Sequence, residues 1–280
     1  IPGGFLKNFM KVKFKNTANT NIIWHGGKLL ALWEGGVPHQ LDPHSLETLS
    51  RYTFGGRLLN RFSRIDYLMN PELAFSAHPK VHPATGELYN FGLAQGSKNR
   101  LMIYRVSPEG ALYEPASVEL PELTFVHDFV LTASGRMVFL LPPVNFQLLK
   151  TFTGFLSPVD SISMQKDRPV KILVIKDGEV EAQLETSFNF TFHHANAFEE
   201  EGKIMIDSMS MDTFPTGTSP RKSAETGDFN NPAAMLTRYT LHLESGKVDR
   251  EQLSDHPGEF PQVHPGLGGS RHRYIWGAGT

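Results

Sequence analysis

Turn words punctuate this chain at nearly even intervals, and they limit its fold more than any other feature. Pro83-Ala84-Thr85-Gly86, Ser107-Pro108-Glu109-Gly110 and Ala133-Ser134-Gly135 place a glycine about every 24 residues, and Lys176-Asp177-Gly178 and Glu200-Glu201-Gly202 repeat that interval. Gly26-Gly27 and Glu244-Ser245-Gly246 are further words of the same kind. Glycine and proline supply the backbone angles that reversals need. Between the turns lie short aliphatic and aromatic runs: Asn21 to Trp24, Lys28 to Trp33, Glu87 to Phe91, Leu101 to Val106, Phe125 to Leu131, Arg136 to Leu141, Val170 to Ile175, Lys203 to Asp207, Leu236 to Leu243 and His272 to Trp276. Each predicts a strand. Even spacing of short strands predicts an all-β antiparallel meander, with a propeller ahead of a sandwich. Only Asn60 to Leu68 and Ser45 to Leu49 offer helical turns, and Ser208 to Asn231 predicts a long surface excursion. No linker divides the chain, so residues 1–280 are expected to form one domain.

Composition removes several classes of function. With 27 basic and 29 acidic residues the net charge is -2, which gives nucleic acid no electrostatic footing. The absence of cysteine excludes disulfides, thiolate catalysis and cysteine-ligated metal, leaving histidine and carboxylate as the strong ligands. No run approaches the roughly 18 apolar residues of a membrane helix; Met137 to Leu149 is interrupted by Pro142-Pro143, Asn145 and Gln147. The chain opens Ile1-Pro2-Gly3-Gly4 and closes Gly277-Ala278-Gly279-Thr280, which suggests an internal piece of a longer protein.

Three of the 12 histidines stand in distinctive words: Ser76-Ala77-His78-Pro79-Lys80-Val81, Val126-His127-Asp128-Phe129 and Phe192-His193-His194-Ala195-Asn196-Ala197. Separations of 49 residues from His78 to His127 and 66 from His127 to His193 are too long for a local metal loop. Any site they share must be assembled by the fold.

With these words the chain resembles the carotenoid cleavage oxygenase family, which includes apocarotenoid oxygenases, lignostilbene dioxygenases and the retinal pigment epithelium isomerohydrolase. The resemblance runs almost the whole length. It also rests on Asn16-Thr17-Ala18-Asn19-Thr20-Asn21, Leu30-Ala31-Leu32-Trp33-Glu34-Gly35-Gly36, Leu41-Asp42-Pro43, Leu46-Glu47-Thr48, Asn196-Ala197-Phe198-Glu199-Glu200, Glu259-Phe260-Pro261-Gln262 and His272-Arg273-Tyr274.

The resemblance implies a seven-bladed β-propeller with Fe(II) on its axis, held by four histidines, three of them buttressed by glutamates. By motif position His78, His127 and His193 match three ligands, and Glu34 and Glu259 match two buttressing carboxylates. His193 is chosen over His194 because relatives with a single histidine keep it three residues before the asparagine. The fourth histidine and third glutamate are expected beyond Thr280, so the chain should form a partial propeller that lacks terminal blade segments. Exposed sheet edges should then make the piece alone unstable and inactive. Neutral imidazoles suit iron, and four of them leave two octahedral positions open.

The activity implied is oxygen-dependent cleavage of a conjugated carbon–carbon double bond in a carotenoid or apocarotenoid, giving two carbonyl products. Stilbene or phenylpropanoid cleavage is the alternative within the family, and a non-catalytic propeller binding module is the alternative outside it. The expected partners are a lipophilic polyene and O2. A cytoplasmic location is expected, with peripheral membrane contact near Phe146 to Phe155, where Phe146, Leu148, Leu149, Phe152 and Phe155 flank Lys150. A buried strand followed by a loop is the competing reading there. On a strand His194 faces away from His193 and is expected to be structural. His82 is expected at the surface, and Asp128 as a hydrogen-bond acceptor that orients its strand rather than a general base.

Overall fold

The computed structural model describes residues 15–122, 124–146, 162–214 and 232–279. Four antiparallel meanders follow one another along the chain, each the unit from which a β-propeller blade is made. The first holds β1 (Asn21–His25), β2 (Lys28–Leu32), β3 (His39–Leu41) and β4 (Thr48–Arg51). The second holds β5 (Lys80–Val81), β6 (Leu88–Ala94), β7 (Asn99–Val106) and β8 (Ala116–Leu120).

The third holds β9 (Val130–Leu131), β10 (Met137–Leu141), β13 (Val170–Lys176) and β14 (Glu179–Thr186); a separate ribbon, β11 (Val144–Phe146) with β12 (Ile162–Met164), interrupts it. The fourth holds β15 (Phe190–Glu200), β16 (Lys203–Met211), β17 (Met235–His242) and β18 (Lys247–Gln262). The far end of β18 leaves that blade and pairs through Gly258, Glu259 and Gln262 with β19 (Trp276–Gly279).

The turn words do the work expected of them. Gly26-Gly27, Asp177-Gly178 and Glu201-Gly202 each join two strands through two residues of positive φ, between 50° and 86°. That backbone matches the right-handed twist of the flanking strands.

Successive side chains of a strand point to opposite faces, and in the middle strands both faces are covered. Leu88, Met102 and Tyr104 pack toward the first blade with Leu30, Leu32, Phe54 and Phe75. Their neighbours Tyr89, Leu101 and Ile103 pack toward the third with Phe129, Met137 and Phe139. Val138 and Leu140 turn the other way, to Ile172, Ile206, Tyr239 and Leu241. Inter-blade apolar layers of this kind hold the blades side by side, since among the described residues no strand ladder joins one of the four blades to the next. Full burial of a side chain such as Phe139 stabilises by about 1.5–3 kcal/mol.

Several expectations are corrected. Only Val130 and Leu131 of the predicted strand Phe125 to Leu131 are paired, because the Phe129 N–H bonds to the Asp128 side chain rather than to a neighbouring strand. Over Ser45 to Leu49 there is no helix: Asp42 Oδ1 takes the N–H groups of His44 and Ser45 at 2.9 and 2.7 Å and closes a turn into β4. Within Asn60 to Leu68 the helix α1 (Arg64–Met69) forms, started by Ser63, whose hydroxyl accepts the Asp66 N–H. His272 to Tyr274 are not strand, and pairing begins at Trp276. Ser208 to Met211 belong to β16 rather than to an excursion; residues 215–231 lie outside the described residues. His82 is buried, not superficial: its Nε2 meets Ala133 O at 3.0 Å and its Nδ1 receives the N–H groups of Ala84 and Thr85.

Candidate metal centre

His78 lies just ahead of β5, His127 just ahead of β9, and His193 near the start of β15. The three therefore occupy equivalent places on the first strands of three successive blades, all at one end of the propeller axis. Glu34 reaches the same end by a different route. Because Asn21 pairs with Leu32, the chain leaving β2 emerges where β1 begins, and Glu34 follows directly. Asn21 Nδ2 also donates to Ala77 O at 2.7 Å, which pins the residue before His78 to the first blade. Asn90 Nδ2 donates to Ser76 O at 2.8 Å from the second.

β15 has two register breaks: the first, between Thr191 and His194, contains His193, and the second lies between His194 and Asn196. Bulges re-aim side chains, and here the double break turns the His193 ring toward the axis while His194 goes into the blade. His194 is buried, with Nδ1 2.6 Å from Ser208 Oγ, so it serves the structural purpose expected of it.

The Nε2 atoms of His78 and His127 are 2.9 Å apart, and those of His127 and His193 are 3.2 Å apart. The third pair is close as well, its ring centroids 5.2 Å apart. Glu34 sits against His127 Nδ1, and Glu259 Oε2 lies 2.8 Å from His193 Nδ1. Glu259 Oε2 takes the His193 Nδ1 proton, so a neutral imidazole there carries a bare lone pair at Nε2; Glu34, in contact with His127 Nδ1, would select the same tautomer in His127. With His127 in that tautomer, two Nε2 lone pairs face each other across 3.2 Å, an arrangement that a cation between them would relieve.

Metal–imidazole bonds of about 2.0–2.1 Å set at right angles separate the nitrogens by about 2.9 Å, whereas a tetrahedral angle separates them by about 3.4 Å. The observed 2.9 and 3.2 Å fall within this range, so the three imidazoles are spaced as ligands of one metal ion would be. Among the described residues this is the one His/Asp/Glu group whose donor atoms all lie within 4.8 Å of one another.

Burial presses His78 toward the neutral form that ligation needs. It pulls His78 down to about 3 despite the opposing pull of Asp128, with the neighbouring His127, Lys80 and His193 adding to the fall. Aromatic rings wall the centre: Phe125 lies parallel to His127, Phe192 meets it edge-on at 5.3 Å, and Phe260 stands 4.9 Å from His193. Phe190 and Phe214 back this wall. All five residues singled out in the sequence thus converge.

Others were missed. Lys80 and Asn21 have no metal-ligand chemistry of their own; the available signal was a lysine in a strand two residues after a candidate ligand, which needs a buried counter-charge. His272 was left unassigned, yet it is buried against Asp207 Oδ2 at 2.9 Å, with Asn196 Nδ2 3.0 Å from its Nδ1. Arg238 grips the same Asp207 through two contacts of 2.7 Å.

Histidines gathered on the axis of a propeller, two of them contacted by glutamates, define the class: a β-propeller protein with a histidine cluster that could hold a metal. The family profile described as RPE65, retinal pigment epithelial membrane protein, matches residues 2–280, and the chain belongs to this family, the carotenoid cleavage oxygenases. It is 31% identical to the apocarotenoid-15,15'-oxygenase of Synechocystis over 98% of this chain and 55% of that protein. It is 29% identical to an isoeugenol monooxygenase of Pseudomonas putida, covering 94% of this chain and 52% of the relative. Against a carotenoid 9,10(9',10')-cleavage dioxygenase 1 of Arabidopsis thaliana the identity is 28%, over 93% and 46%.

The crystal structure of cobalt-substituted Synechocystis ACO superposes with a TM-score of 0.87 at 30% identity, covering 99% of this chain and 57% of that one. The fold is accordingly a partial β-propeller, and the chain spans about half the length of the relatives it matches.

Proposed function

We propose that the protein carrying this chain is a non-haem Fe(II)-dependent dioxygenase that cleaves a conjugated carbon–carbon double bond of a carotenoid or apocarotenoid, with O2 as co-substrate, into two carbonyl products. The observation that carries this reading is the gathering of the His78, His127 and His193 Nε2 atoms, 2.9 and 3.2 Å apart along the trio, with Glu34 against the second ring and Glu259 against the third. His78, His127 and His193 are the ligands, Glu34 and Glu259 orient two of them, and a fourth histidine beyond Thr280 completes the set.

Iron bound there supplies the oxygen chemistry, which no side chain of this composition could supply. The chain's own residues do the rest. The glutamates hold two rings in the ligating tautomer, Phe125 and Phe192 keep water from the centre, and these rings with Phe260 offer flat apolar faces to a polyene. No nucleophile or general acid is required. We read residues 1–280 as one domain, which the continuous apolar layers between neighbouring blades support.

The likeness to an isoeugenol monooxygenase favours a second reading, cleavage of a phenylpropanoid or stilbene by the same centre. Incubating the full-length, iron-loaded protein with an apocarotenal and with a hydroxystilbene, and following polyene bleaching, oxygen uptake and aldehyde formation, separates the two. Bleaching with one O2 consumed per bond supports the first reading; turnover of the stilbene alone replaces it. Absence of both iron and turnover returns the molecule to a non-catalytic binding module. Among the described residues no helix is long and apolar enough to cross a membrane. The stretch proposed for peripheral membrane contact, Phe146 to Phe155, lies outside the described residues save for Phe146, which ends β11.

A further inference from the structure

Asp128 follows His127 in sequence, is buried, and is used by none of the chemistry above. Its Oδ1 lies 2.7 Å from Lys80 Nζ and accepts the Phe129 N–H at 2.8 Å; its Oδ2 accepts the His194 N–H at 3.1 Å. Lys80 stands two residues after His78 on β5, and His194 one residue after His193 on β15. One carboxylate is therefore bonded to, or adjacent in sequence to, every segment that carries a candidate ligand.

Blades are held side by side by apolar packing, which is strong but non-directional. A metal centre needs its donors placed to within about 0.5 Å. Hydrogen bonds to an ionised carboxylate are short and directional, and here they run from the second and fourth blades to the third. We propose that Asp128 is the positioning residue that sets the distances between the three imidazoles, by fixing the second, third and fourth blades to one another at the axis, with Lys80 as its obligatory partner.

The division of labour is clear. Glu34 and Glu259 each hold the plane of one ring, whereas Asp128 holds the relation between rings. Burial opposes its ionised form, but Lys80, His194 and His78 overcome that, and the carboxyl stays below the usual carboxylate range. Asparagine keeps the shape and fails in this place, because its amide N–H groups would face the His194 N–H or the Lys80 ammonium, donor against donor.

The inference rests on the metal reading, and the test separates the two. The full-length protein is titrated with Co(II) alone, reading affinity and the d–d absorption bands, for the wild type, Asp128→Asn, Lys80→Met and Lys80→Arg. Arg136→Met, which breaks surface ion pairs to Glu181 and Glu199 away from the centre, controls for lost stability.

The proposal expects Asp128→Asn and Lys80→Met to bind Co(II) about 10-fold or more weakly with shifted bands. Lys80→Arg should restore both, and Arg136→Met should leave the bands in place. Folded Asp128→Asn with wild-type affinity and bands overturns it, as does a loss no greater than that of Arg136→Met at equal destabilisation. Should Asp128→Asn not fold, Lys80→Met decides by the same criteria, its side chain being partly exposed. A wild type that binds no Co(II) removes the metal reading and this proposal together.

Discussion

A carboxylate that receives an Nδ1 proton does two things for an imidazole: it selects the tautomer and it stops the ring from turning. Glu259 does both for His193 through Oε2, which also accepts the Phe260 N–H at 3.1 Å, while Oε1 is buried without a partner among the described residues. Replacing it by Gln substitutes a neutral acceptor that can flip. The Glu259→Gln protein should lose about 10- to 100-fold in metal affinity with little change in thermal midpoint; metal titration beside a melting curve checks this.

The buried histidines also make stability depend on pH. Burial lowers His194 to about 4 and His78 to about 3, against an ordinary 6.5. Between those values and 6.5 the unfolded chain binds protons that the folded chain refuses, so folding stability is lost as pH falls below about 6.5. Urea midpoints of metal-stripped protein should decline steadily from pH 7 to pH 4.5, and a flat profile would contradict the assignment.

Gly92, on β6, shows how closely an element can be fitted to the strand that delivers a ligand. A Cβ there would stand 1.9 Å from Ala74 O, the carbonyl that accepts the Tyr104 hydroxyl at 3.0 Å, four residues before His78. Gly92→Ala should cost about 1–3 kcal/mol by overpacking, visible as a lower urea midpoint with unchanged slope.

The legible elements were those covered on both faces, such as β10, whose five residues Met137–Leu141 are all buried. The outer strands β8, β14 and β18 were missed because solvent covers one of their faces; β18 even contains Pro257 and Gly258. Their pairing comes from lying beside a neighbour, not from their own composition. His78, His127 and His193 could be found from their sequence words. The bonds from Asp128 to Lys80 and to the His194 N–H could not, because only the arrangement of three blades brings those groups together.

Across the described residues strand pairing within the blades is local and the candidate metal centre is not. Every ladder within a blade joins consecutive strands of that blade, while the candidate ligands lie 49 and 66 residues apart. At one end β1 shows Ile22 and Trp24 to solvent, and at the other β19 is exposed throughout. The contrast bears on the order of events in time. Local hairpins close in microseconds, but contacts between distant segments must wait until the intervening chain is organised. When the protein refolds with Co(II) present, far-UV circular dichroism should recover in an early phase and the d–d bands in a later one. Simultaneous recovery would mean that the metal helps to gather the blades, instead of arriving at a centre that they have already built.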